Sequence, residues 1–194
     1  MSSELWIERK FAEMYRENPD PWGCERFADC ANNEILLMMI EKRKPKKILD
    51  IGCGHGSLTE RICKITKAEI IGIDCVDLGW KNKKRIQYRK CDIMTDEIDG
   101  KYDVVIMSEI LWYICEKYEK VLDKIKKILN EDGCMVIKQY FPKHQKYFAE
   151  YIDGLKGFMY YMRDWALGSY AISATQDGEV LIAIYSLRRA KYGE

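Results

Sequence analysis

The run ILDIGCGHGSLT at residues 48–59 constrains the fold more than any other stretch of this 194-residue chain. KILDIG has the apolar, β-branched character of a short buried strand, and SLTERICKIT has the spacing of a helix. Between them Gly52, Gly54 and Gly56 permit a turn tight enough to join the two, because glycine adopts backbone angles that a β-carbon forbids. A strand, a glycine turn and a helix in that order open a βαβ unit, whose parallel strands must be covered by helices. The acidic Asp50 stands two residues before the first glycine, and Ser57 occupies the place where a G-x-G-x-x-G turn carries its third.

The rest of the chain repeats the alternation. EIIGID and the KKRIQYRKCD region read as the second and third strands, YDVVIMS as the fourth and CMVIKQY as the fifth. EKYEKVLDKIKKILN is an amphipathic helix whose Val121, Leu122, Ile125, Ile128 and Leu129 follow the 3.6-residue period. Asn130-Glu131-Asp132-Gly133 is expected to end it and turn the chain back to the sheet. YAISATQ and EVLIAIYSL flank Asp177-Gly178, a hairpin signal. The fold class is therefore α/β: a mostly parallel sheet of about seven strands flanked by helices and closed by an antiparallel C-terminal edge. Residues 2–18 and 24–42 read as helical, LLMMI giving an apolar face before KRKPKK. Residues 1–194 are expected to form one domain, with 1–44 a helical lid or extension and 45–194 the ligand-binding core.

Composition narrows the function classes. With 47% hydrophobic and 32% charged residues the chain is globular, and 32 basic against 31 acidic side chains argue against a dedicated nucleic-acid binder. Eight cysteines are spread singly, without a C-x-x-C pair, which points away from a metal site and toward small core residues in a reducing, cytoplasmic setting. No window approaches the ~20 apolar residues of a spanning helix, so no membrane partner is expected. Oligomeric state leaves no signature in the sequence.

Leu49-Asp50-Ile51-Gly52-Cys53-Gly54-His55-Gly56 resembles the first motif of class I S-adenosylmethionine methyltransferases, an acidic residue followed by G-x-G-x-G. The resemblance continues in Asp74, 22 residues after Gly52 at the end of EIIGID, in Asp92-Ile93, and in Ser108-Glu109 ending the fourth strand. It implies the Rossmann-like sheet of that family, with S-adenosylmethionine (SAM) as cofactor and S-adenosylhomocysteine as product. It also implies that Asp74, with its neighbour Cys75, meets the ribose hydroxyls, that Asp92 and Ile93 hold the adenine, and that Asp50 orders the turn near the amino-acid end, with Cys53 and Ser108 at the strand ends. A carboxylate beneath the turn repels a pyrophosphate and suits a cation, so Asp50 and Ser57 both speak against an NAD-linked oxidoreductase. Asp20-Pro21-Trp22-Gly23 and SEILWYI are similar to segments of the nodulation-protein-S group, which N-methylate an amino sugar; that likeness covers residues 18–140 and implies a cofactor lid at Trp22 and Arg26.

Methyl transfer to an amine requires a group that receives or positions the cationic acceptor and its proton. Glu109, at a strand end, is the first candidate; Tyr113, Tyr140 and His144 follow. His55 lies in the glycine turn and is expected to point outward. Glu109 beside Lys138 makes a poor cage for a hard cation, so no metal ligands are assigned. The expectation is a small-molecule methyltransferase acting on an amine. The alternatives are a nucleic-acid or protein methyltransferase and a SAM-binding scaffold without activity. SEIL replaces the Pro-Pro-aromatic signature of base-directed enzymes, and the basic run KNKKRIQYRK reads as a solvated loop and edge strand.

Overall fold

A computed structural model describes residues 3–24, 30–145 and 149–188. Helix α1 (Ser3–Glu17) is followed by α2 (Ala31–Lys42), β1 (Lys47–Ile51), α3 (Ser57–Ile65), β2 (Glu69–Asp74) and β3 (Ile86–Lys90). Then come β4 (Tyr102–Ser108), the single turn α4 (Leu111–Ile114), α5 (Tyr118–Ile128), β5 (Leu129–Pro142), α6 (Gly154–Tyr161), β6 (Trp165–Ala174) and β7 (Gly178–Leu187). The seven strands form one sheet in the order β3-β2-β1-β4-β5-β7-β6. Pairing from β3 to β5 is parallel, while β7 runs antiparallel between β5 and β6. The order reverses beside β1, where chain connections leave to opposite sides, and ligands of open α/β sheets bind beyond the strand ends at such a point.

Alternation along β1 shows how the two faces are built. Leu49 and Ile51 enter a core shared with Val121, Leu122 and Ile125 of α5. Ile48 enters the opposite core, with Leu36 and Ile40 of α2 and Ile62 of α3. Asp50 shares the face of Ile48 and is therefore turned toward α3, which explains its burial.

Four differences from the sequence expectations have physical reasons. The helix expected to reach Asn130 stops at Ile128, and β5 begins at once. The Asn130–Gly133 stretch is not a free turn but a bulge within that strand, between the pairs Tyr102↔Leu129 and Val104↔Cys134. It is pinned by Asn130 Nδ2 donating to Asp103 Oδ1 at 2.6 Å. A β-carbon on Gly133 would lie 2.9 Å from two backbone oxygens, so glycine serves the bulge rather than a helix cap. Strand β6 starts at Trp165, five residues before YAISATQ, because Trp165 buries into the sheet's α5 face. Helix α2, expected within an extension over residues 1–44, is instead packed into the core, with Leu36 and Ile40 fully buried. The expected helix start at 24–30 cannot be compared over residues 25–29, Arg26 among them, which lie outside the described residues.

Candidate active site

The glycine turn follows from its backbone. Gly52, Gly54 and Gly56 all have left-handed φ, at 70°, 53° and 85°. Space is closed at two of them by the protein itself: a β-carbon would come within 2.4 Å of Ile110 Cγ2 at Gly52 and within 2.2 Å of the Tyr88 hydroxyl at Gly56. Glycine is needed there to let side chains pack against the turn. Gly56 is buried at the N-terminus of α3 and does not line the cavity, whereas Gly52 and Gly54 do.

Beneath the turn Asp50 is 2% exposed and accepts a 2.6 Å hydrogen bond from Thr59 Oγ1 of α3. Burial raises its pKa to about 7; the Thr59 bond opposes that rise and the neighbouring Asp74 adds to it. Asp74, at the end of β2, accepts from Gly54 N–H at 2.9 Å on one oxygen and from Val76 N–H at 3.1 Å on the other. Cys75 adds hydrogen bonds to the same carboxylate from its N–H and its thiol. Burial also lifts Asp74, and it lifts the adjacent Cys75 thiol to about 12, so that thiol stays protonated. Asp92 Oδ1 accepts from Met94 N–H at 2.8 Å, and the side chain of Ile93 is buried beside it.

These groups open on one cavity of about 1030 Å³, spacious enough for a nucleoside ligand and a second small molecule. Cys53, Cys75, Asp92, Ile93, Ser108, Glu109, Tyr113, Lys138 and Tyr140 all line it. Glu109 has a left-handed φ of 59°, rare for a residue with a side chain, and its N–H is tied to Lys138 O at 2.8 Å. Its Oε2 accepts from Tyr140 N–H at 2.9 Å and Gln139 Nε2 at 3.3 Å, while Oε1 lies 3.8 Å from Lys138 Nζ. Burial raises the Glu109 pKa, with Lys138 and the Tyr140 N–H acting against that rise. Lys138 is itself held by Asn33 Oδ1 at 2.8 Å.

An aromatic wall lines the cavity. Trp22 packs against Phe11, Tyr15 and Tyr113 with centroids 5.8, 5.1 and 6.4 Å apart, and Phe11 meets Tyr113 edge-on at 4.9 Å. His55 is exposed and packs edge-on against Tyr15. His144 is a correction to the sequence reading: it sits exposed after β5 and does not reach the cavity.

Residues 24–170 match a family described as a methyltransferase domain. The chain belongs to that family. This methyltransferase chain is 32% identical over 128 residues to the mitochondrial ubiquinone biosynthesis O-methyltransferase of Bos taurus, covering 56% of the chain and 34% of that protein. It is 27% identical over 124 residues to nodulation protein S of Azorhizobium caulinodans, covering 59% of each. It thus spans about a third to three-fifths of the length of these relatives. Among solved structures it resembles the N-methyltransferase NodS from Bradyrhizobium japonicum WM9 in complex with S-adenosylhomocysteine, at 18% identity and TM-score 0.67 over 94% of this chain and 96% of that one. The 1,6-didemethyltoxoflavin-N1-methyltransferase of Burkholderia thailandensis is similar at 13% identity and TM-score 0.73, over 97% and 92%. At these identities the structures speak for the fold.

In and around the cavity lie residues that the sequence did not single out. Phe11 and Tyr15 come from α1, and their i,i+4 spacing was the available signal. Trp80 donates Nε1–H to Gly54 O at 2.8 Å and stacks on Tyr88 at 5.7 Å, which braces the turn from behind. Gln139, 1% exposed, joins Glu109 to α4; a lone glutamine in a strand carries no sequence signal of that role.

Proposed function

We propose that this methyltransferase transfers the methyl group of SAM to a small molecule, and that the acceptor atom is an amine nitrogen. One observation carries the reading. The cavity that holds the glycine turn and Asp74 also contains Glu109, a carboxylate in strained backbone whose Oε2 is held by Tyr140 N–H and Gln139 while its Oε1 faces Lys138 Nζ at 3.8 Å.

The donor set suits SAM. Asp74 offers a carboxylate at the end of β2 to the ribose hydroxyls, Ile93 an apolar surface and Asp92 a carboxylate for an adenine, and buried Asp50 sets a negative field near a sulfonium and an ammonium. When bound, SAM supplies an activated methyl group together with its leaving group. What remains for the chain is to bind, align and deprotonate the acceptor and to exclude water. Glu109 Oε1 can receive an ammonium in competition with Lys138 Nζ, and the raised pKa makes Glu109 a better base than an exposed glutamate. The aromatic wall of Phe11, Trp22 and Tyr113 would exclude water and pack on the apolar part of the acceptor.

Hydroxyl methylation is the second reading, favoured by the relatives named ubiquinone biosynthesis O-methyltransferase. Titration with SAM and NAD, followed by S-adenosylhomocysteine release against a panel of amines, phenols, thiols and small acids, tests both. SAM binding without NAD binding, and release with amines, supports the proposal. Release with phenols alone moves the acceptor to oxygen, and binding without release across the panel indicates a scaffold.

A further inference from the structure

We propose that Gln139 is a positioning residue that fixes both the ionisation and the direction of the Glu109 carboxylate while anchoring the start of α4. The inference rests on the acceptor role given to Glu109, but its physical content can be measured without any acceptor.

A glutamine in the middle of a parallel–antiparallel sheet junction is a costly choice, since a leucine or methionine of similar volume would fill the site without desolvating an amide. Gln139 is 1% exposed, yet every polar atom of its side chain is engaged. Its Oε1 accepts from Leu111 N–H at 3.0 Å. Its Nε2 donates to Glu109 Oε2 at 3.3 Å and to Tyr140 O at 3.2 Å. The amide cannot be turned over. Leu111 N–H needs an acceptor and the Tyr140 carbonyl needs a donor, so the NH2 end must face Glu109.

Two consequences follow from that forced orientation. First, Gln139 and the Tyr140 N–H place both protein bonds on Oε2, leaving Oε1 toward the cavity and Lys138. Donation to a carboxylate favours its ionised form, so the Gln139 bond acts in the same direction as Lys138 and the Tyr140 N–H, against the burial that raises the Glu109 pKa. Second, Leu111 N–H is a free amide at the first turn of α4, and the residue before that helix, Ile110, offers no side-chain cap. Gln139 supplies the missing acceptor from another strand. Because α4 carries Trp112 and Tyr113, one buried amide sets the carboxylate and the aromatic wall at once.

The test follows the titration of Glu109 by carboxyl-carbon NMR, its signal identified by loss in Glu109→Gln. Gln139→Met removes the donor and Gln139→Glu replaces it with a second carboxylate. The Glu109 midpoint is expected to move up in both, by about one unit in the glutamate variant. In the unmutated protein the Gln139 side-chain NH2 resonances should shift with the same midpoint, and the shift should vanish in Glu109→Gln; this needs no Gln139 variant to fold. An unmoved Glu109 midpoint in foldable variants, or NH2 resonances indifferent to Glu109, would overturn the proposal and leave Gln139 a structural cap. Full methyl transfer by Glu109→Gln would sink the acceptor role of Glu109 instead, while leaving the coupled titration intact.

Discussion

Asp50 is buried beneath the glycine turn, where its ionisation bears on both stability and ligand binding. Its folded pKa of about 7 lies above the ordinary aspartate value of 3.8, so the folded protein holds the proton more tightly than the unfolded chain. The stability it contributes is therefore greatest in acid and declines as pH rises from about 4 to about 7. Asp50→Asn, which keeps an acceptor for Thr59, should raise Tm at pH 8 and change it little at pH 4, as thermal unfolding at the two pH values would record. A cation arriving above Asp50 lowers its pKa, so SAM binding near pH 7 should release a fraction of a proton and S-adenosylhomocysteine, lacking the sulfonium, a smaller one. Calorimetry in two buffers of different ionisation enthalpy measures both; equal release would place the sulfonium away from Asp50. Asp74 answers to a simpler test. Asp74→Ala should weaken SAM binding by about 10- to 100-fold, the value of one or two hydrogen bonds to a charged group, with the circular dichroism spectrum retained. Glu109→Gln should lower turnover more than SAM affinity.

Elements differ in how much of them the sequence disclosed. Strands β1, β2 and β4 were legible because each is an apolar run bounded by turn residues, and the glycine turn because its spacing allows few alternatives. The α5–β5 junction was not, because a bulge depends on where Asp103 and Tyr102 lie across the sheet, and no local pattern encodes that. Asp50, Asp74 and Asp92 lie at or just beyond strand ends and line the cavity, and the same strand signals located them. Glu109 and Tyr113 line the same cavity, whereas His144 lies away from it because the direction of the chain after β5 is set by tertiary contacts. Helix α1 illustrates an element whose role is separate from stability. None of its described side chains belongs to either core, yet Phe11 and Tyr15 reach the cavity. Removing residues 1–17 should shift Tm by no more than about 4 °C, the effect of roughly 1 kcal/mol in a domain of this size, while SAM affinity falls about tenfold or more. A large loss of Tm would make α1 part of the folding unit.

At the scale of the molecule, one sheet with a helical layer on each face leaves a single place where the β1, β2 and β4 ends converge, and the cavity lies there. No described helix is long and apolar enough to cross a membrane, and among the described residues no three His, Cys, Asp or Glu side chains group as metal ligands. The architecture by itself is shared by enzymes of many substrates, so the fold argues for the cofactor side and Glu109 for the acceptor. The account joins the two in one claim: the methyl group leaves SAM for a nitrogen held at Glu109. NMR of the products formed from SAM labelled with carbon-13 in its methyl group, offered to matched pairs of amines and phenols sharing one carbon skeleton, tests it directly. The account predicts N-methyl resonances that disappear in Glu109→Gln. O-methyl resonances alone, or N-methylation at an undiminished rate without the Glu109 carboxylate, would contradict it.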